Sequence, residues 1–108
     1  MTDKKIVLTT AGSKAEAQKM ARALVERKLA ACVNVVGPIE SVYRWKGAVE
    51  TAEEFLCIVK TTAAAAENVQ AAITELHSYE VPECVVISIE DGSQEYLEWI
   101  GGNVVEIG

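Results

Sequence analysis

The 108 residues are enough for one domain, read here as residues 1–108, and half of them are apolar, which supports a hydrophobic core and excludes a disordered chain. A formal net charge of −6, with no cluster of lysine or arginine, argues against nucleic acid or an anionic membrane surface as the main partner and permits metal cations. No apolar run is long enough for a signal peptide or a membrane span, and the three cysteines, Cys32, Cys57 and Cys84, lack C-x-x-C spacing, so they fit a reducing cytoplasm as small core hydrophobes.

In chain order, Ile6 to Thr10 is a short strand rich in β-branched residues, broken by Ala11-Gly12. Ser13 to Glu16 is a capping box: the Ser13 hydroxyl accepts from the Glu16 N–H, and the Glu16 carboxylate reaches back. The helix that follows places Ala17, Met20, Ala21, Leu24 and Val25 on one face. Two long strands come next, Leu29 to Trp45 and Val49 to Thr62, joined at Lys46-Gly47-Ala48. At ~3.3 Å per residue the first would span about 56 Å, whereas a compact chain of this size is roughly 34 Å across. The strand therefore bends at Gly37-Pro38 or overshoots its domain. Beyond the bend, Ser41 to Phe55 projects as an arm carrying Val42, Tyr43, Trp45, Val49 and Phe55. Such an edge invites pairing with another chain and predicts a homo-oligomer; the alternative is a hairpin curled over its own core.

Thr61-Thr62 offers an N-cap for a second helix, Ala63 to about His77, with Val69, Ala72, Ile73 and Leu76 at helical spacing. Pro82 ends the exit segment. Cys84 to Ile89 is a continuous apolar run, expected to be a central strand covered on both faces. Asp91-Gly92 turns the chain, Ser93 caps a third helix from Gln94 to Ile100, Gly101-Gly102 stops it, and Val104 to Ile107 adds an edge strand. The order β-α-β-β-α-β is the ferredoxin-like arrangement of the α+β class, an antiparallel sheet with both main helices on one face. Its other face is left for the short third helix and a neighbouring subunit.

His77 is the only histidine. It reads either as a helix C-terminal residue favoured by the dipole or as a copper or zinc ligand, with Glu80 and Glu83 close in sequence and Glu53 within reach across the hairpin. A mixed nitrogen and oxygen set suits Cu(II) or Zn(II) better than Cu(I). Nucleophilic catalysis has little support: there is no Ser-His-Asp order with an elbow turn and no glycine-rich phosphate loop, so the expectation is not an enzyme. The enzymatic alternative would use Lys60, His77 and Glu83.

Five separated motifs, Leu29-Ala-Ala-Cys-Val-Asn34, Tyr43-Arg-Trp45-x-Gly47, Glu53-Glu54 with Lys60-Thr61, His77-Ser-Tyr79-Glu-Val-Pro82-Glu83 and Tyr96-Leu-Glu-Trp99, resemble the CutA divalent-cation tolerance proteins in order and spacing. The resemblance implies a homotrimer in which the long hairpins extend the sheets across subunit boundaries. It also implies a cytoplasmic role in tolerance to copper and other divalent metals, with no required cofactor and no established catalytic activity. It further suggests an intersubunit cleft lined by Trp45, Glu53, Lys60, Tyr79, Glu83, Tyr96 and Trp99, and it singles out Cys32 as a possible thiol beside a core-packing role. A second reading, by analogy of fold alone, is a trimeric signalling or scaffold protein that binds a small metabolite in that cleft. The chain departs from the family in two places. Ser78 stands where a proline commonly follows the histidine, and the positions matching the copper ligands attributed to the family are Thr9, Leu76 and His77, of which only the last can ligate.

Overall fold

The alternating and helical periods of the sequence become β1 (Lys4–Ala11), α1 (Lys14–Glu26), β2 (Cys32–Trp45), β3 (Ala48–Thr62), α2 (Ala66–Leu76), β4 (Val85–Ser88) and α3 (Gln94–Gly102) in a computed structural model that describes residues 2–106. The four strands form one antiparallel sheet in the order β2-β3-β1-β4, the ferredoxin-like α+β topology. Side chains alternate across the sheet. Val7 and Ala11 of β1 and Cys57 and Val59 of β3 are buried against Ala17, Met20 and Leu24 of α1 and Val69, Ala72 and Ile73 of α2.

The register places Ile6, Leu8, Leu56, Ile58, Val36, Val85 and Ile87 together on the opposite face. None of these reaches full burial within the subunit, and Val36 and Ile87 are both 44% exposed. The third helix covers only one end of the molecule, where Ile100, Val104 and Ala65 make a second small core.

The hairpin turns through two residues. Lys46 (φ 49°) and Gly47 (φ 81°) are both left-handed, and Trp45 pairs with Ala48, as a primed turn requires. The register slips between Val36 and Ile39, at Gly37-Pro38, so the expected bend is a bulge. Gly37 is there for space: a Cβ on it would lie 2.5 Å from the Phe55 ring. The arm lengthens the molecule to 43 Å against 25 and 23 Å across.

Several boundaries differ from expectation for physical reasons. Phe55 belongs to the sheet, opposite Ala11 and packed on the core, and is not on the arm. The first long strand starts at Cys32, because Lys28 is left-handed and the Leu29 and Ala30 N–H groups both donate to the Leu24 carbonyl. The second helix starts at Ala66: Thr62 does accept from the Ala65 N–H, at 3.2 Å, but over residues 63–65 the chain makes a turn, with the Ala63 N–H held by the Asp3 carbonyl. Cys84 to Ile89 is not a central strand. Only Val85–Ser88 is strand, and it lies at the sheet edge beside β1. An apolar run reads the same whether its cover comes from the same chain or from another.

Gly101-Gly102 does not end α3. Both glycines are helical, and Asn103 closes the helix by donating from Nδ2 to the Trp99 carbonyl at 2.9 Å. Finally, residues 104–106 are not a strand: Val104 is buried and the Val105 N–H donates to the Lys28 carbonyl at 2.7 Å. Ile107, the last residue of that expected strand, lies outside the described residues.

Candidate functional site

The end of β1, the start of α1, the lower part of the hairpin arm and the segment leaving α2 meet around His77. Its side chain is fully buried. The Tyr79 N–H donates to Nδ1 at 3.0 Å, which leaves Nε2 to carry the proton and donate to the Thr10 carbonyl at 2.5 Å. The Glu16 carboxylate lies 3.8 Å from Nδ1 and accepts the Ser78 N–H at 2.7 Å. The Ser13 hydroxyl caps α1 as expected, but Glu16 turns to this segment, so the reciprocal half of the capping box is replaced. Partial burial pushes the Glu16 carboxyl up; the hydrogen bonds from Ser78 and the nearness of His77 outweigh it and hold the group below its ordinary value. Ser78 matters here because a proline would bring no N–H.

Tyr79 continues the chain of contacts. Its ring packs on His77 with centroids 4.6 Å apart, and its hydroxyl donates to Glu54 Oε2 at 2.9 Å. Gly12 makes room for it, since a Cβ there would sit 2.9 Å from the phenol oxygen. Burial, with the Glu54 carboxylate, pushes the Tyr79 phenol up to about 12. Thr10 and Glu54 form the floor of a cleft of about 340 Å³; the arm supplies one wall through Tyr43 and Trp45, and Tyr79, Glu80, Val81 and Glu83 supply the other. Glu54 is 7% exposed and has no lysine, arginine or histidine within ion-pair distance among the described residues.

Trp45, Tyr79 and Glu83, of the residues singled out from sequence for a cleft, come together here. Glu53 borders a separate shallow hollow with Glu40 and Thr51. Lys60 lies towards the far end of β3, where Nζ donates to Asn34 Oδ1. Tyr96 and Trp99 stack on each other along α3, centroids 5.5 Å apart. Cys32 pairs across the sheet with Lys60, its Sγ 3.9 Å from Asn34 Oδ1. Burial pushes the Cys57 thiol up to about 11, and burial followed by the Glu83 charge raises that of Cys84.

Thr10, Tyr43, Glu54 and Glu16 were missed as site residues. A signal for Glu54 existed. Counting outward in twos from the Trp45–Ala48 pair puts Trp45, Tyr43 and Glu54 on one face of the arm and Glu53 on the other.

At the three positions that the resemblance matches to copper ligands, the side chains are buried or packed on the core. Thr9 is fully buried with its hydroxyl unpartnered, Leu76 packs on the core, and both nitrogens of His77 are engaged. No three histidine, cysteine, aspartate or glutamate groups converge to hold a metal ion among the described residues. No helix among them is long and apolar enough to cross a membrane.

Comparison with known proteins places this geometry in context. Residues 5–103 match the family model described as CutA1 divalent ion tolerance protein. The chain is 45% identical over 98 residues to the divalent-cation tolerance protein CutA of Thermus thermophilus, covering 91% of this chain and 95% of that one. It is 41% identical to the chloroplastic protein CutA of Arabidopsis thaliana, but spans only 52% of that longer protein. The solved structure of the periplasmic divalent cation tolerance protein CutA from Archaeoglobus fulgidus superposes with a TM-score of 0.91 at 41% identity, over 94% of this chain and 99% of that one.

Proposed function

The chain belongs to the CutA1 divalent ion tolerance family, and from that premise we propose that it serves tolerance to divalent cations by binding, without catalysing a reaction, as a homotrimer in the cytoplasm. The observation that carries the binding role is the acidic cleft with Glu54 at its floor. An open apolar sheet face, flanked by the edge strands β2 and β4, supports assembly with further copies. Three unpaired cysteines support a reducing compartment. Copper and zinc are the cations taken over from the family resemblance, and His77 enters as a structural post, because ligation through either ring nitrogen would break the hydrogen bond which that nitrogen makes. Equilibrium dialysis of metal-stripped protein against Cu(II) and Zn(II) tests this. Saturable uptake retained in His77→Ala is expected; no uptake by the parent chain would overturn direct metal binding.

A second reading is favoured by the cleft itself. Three aromatic rings and three carboxylates line one cavity whose carboxylates do not converge on a point. Such a lining suits a small organic ligand better than a bare ion. In this reading the trimer responds to a metabolite. A ligand released from protein purified without added metal, and absent after Trp45→Leu, would support it.

A further inference from the structure

Resting on that second reading, we infer that the cleft takes an organic ammonium ion. The first ground is the charge on Glu54. Its carboxylate is buried, receives a hydrogen bond from the neutral Tyr79 phenol at 2.9 Å, and has no cationic partner among the described residues. A buried charge without a counter-charge is unfavourable, and a bound cation removes that cost. Glu80 and Glu83 line the same cavity, and no lysine or arginine among the described residues does, so this subunit's lining favours a cation.

The second ground is the aromatic lining. Tyr43, Trp45 and Tyr79 face a cavity of about 340 Å³. Ring faces attract cations, tryptophan most strongly, and several rings around one volume are the usual device for holding an alkylated or protonated amine. The Trp45 indole already has an ammonium near it, Lys46 Nζ at 5.8 Å from the ring centroid.

The third ground is what the cavity does not offer. No three acidic, cysteine or histidine groups come close enough to share a metal ion among the described residues. A cation that spreads its charge over carbon and N–H groups can satisfy separated carboxylates and ring faces together.

The test uses the full chain with Trp99→Phe, so that Trp45 is the only tryptophan reporting. Tetramethylammonium and 1,4-diaminobutane are titrated as chlorides against Trp45 emission, with acetate and Cu(II) as contrasting probes. The expected result is a saturable change with either amine below about 10 mM, weakened at least about tenfold by Glu54→Gln, which keeps an oxygen for the Tyr79 hydroxyl. Trp45→Leu, outside the subunit core, is followed by calorimetry and is expected to weaken binding several-fold. Unchanged affinity in both variants, or no saturation by either amine, overturns the inference. Saturation by acetate alone overturns the ammonium ion while leaving the cleft as a ligand site. Cu(II) uptake that leaves Trp45 emission unchanged, with every organic probe inactive, overturns the cleft reading as well.

Discussion

Replacing His77 by alanine separates a structural role from a ligand role. The side chain is fully buried, and both ring nitrogens hold backbone groups: the Thr10 carbonyl on β1 and the Tyr79 N–H on the exit segment. Truncation leaves the part-buried Thr10 carbonyl without a partner at about 1–3 kcal/mol and adds a cavity term, while the exposed Tyr79 N–H can turn to water, so a loss of roughly 2 kcal/mol or more is expected. Because His77 ties the exit segment to β1, the loss should also loosen Tyr79 against Glu54. The assay is equilibrium unfolding in urea at fixed protein concentration, since the proposed assembly would make stability concentration-dependent, run beside Cu(II) dialysis on the same preparation. His77→Gln, which offers one donor and one acceptor, should recover part of the loss. Metal uptake should persist in the folded fraction of both variants. Stability within about 0.5 kcal/mol of the parent, together with abolished uptake, would refute the reasoning and make His77 a ligand.

Tyr79→Phe removes the hydroxyl that donates to Glu54 and should cost about 1 kcal/mol at neutral pH. Because folding raises the Tyr79 phenol from its ordinary 10.0 to about 12, its contribution is complete below pH 10 and is lost as pH rises through 12; unfolding curves of the phenylalanine variant should lack that alkaline loss. Thr9→Val exchanges a buried hydroxyl without a partner for a methyl group of similar shape and should stabilise the chain by up to about 1 kcal/mol in the same assay. Gly37→Ala drives a Cβ to 2.5 Å from the Phe55 ring and should destabilise by about 1–3 kcal/mol; Phe55→Leu in the same chain should relieve part of that.

The elements with strong local periods were legible. The β-branched run of β1 and the 3/4 spacing of Met20, Leu24, Val69 and Ile73 marked the first strand and both main helices. The bulge at Gly37-Pro38 and the turn at Gly47 were legible from residue chemistry. What local reading missed depends on tertiary partners. The Ala63 N–H is captured by the Asp3 carbonyl, which delays α2, and Asn103 rather than a glycine closes α3. The place of β4 at the edge follows from strand order, which its own apolar run does not encode. In the cleft, Trp45 and Tyr79 were legible but Tyr43 was not, the choice of Glu54 over Glu53 turned on register, and the engagement of His77 turned on backbone groups distant in sequence.

The central claim is that this chain is a binding protein completed by copies of itself. Native mass spectrometry on metal-stripped protein, before and after limiting Cu(II), tests it most directly. The account predicts a trimer in both spectra, persisting in His77→Ala under conditions where that variant is folded. A monomer at micromolar concentration would contradict it, because the open sheet face and the projecting arm would then have no partner.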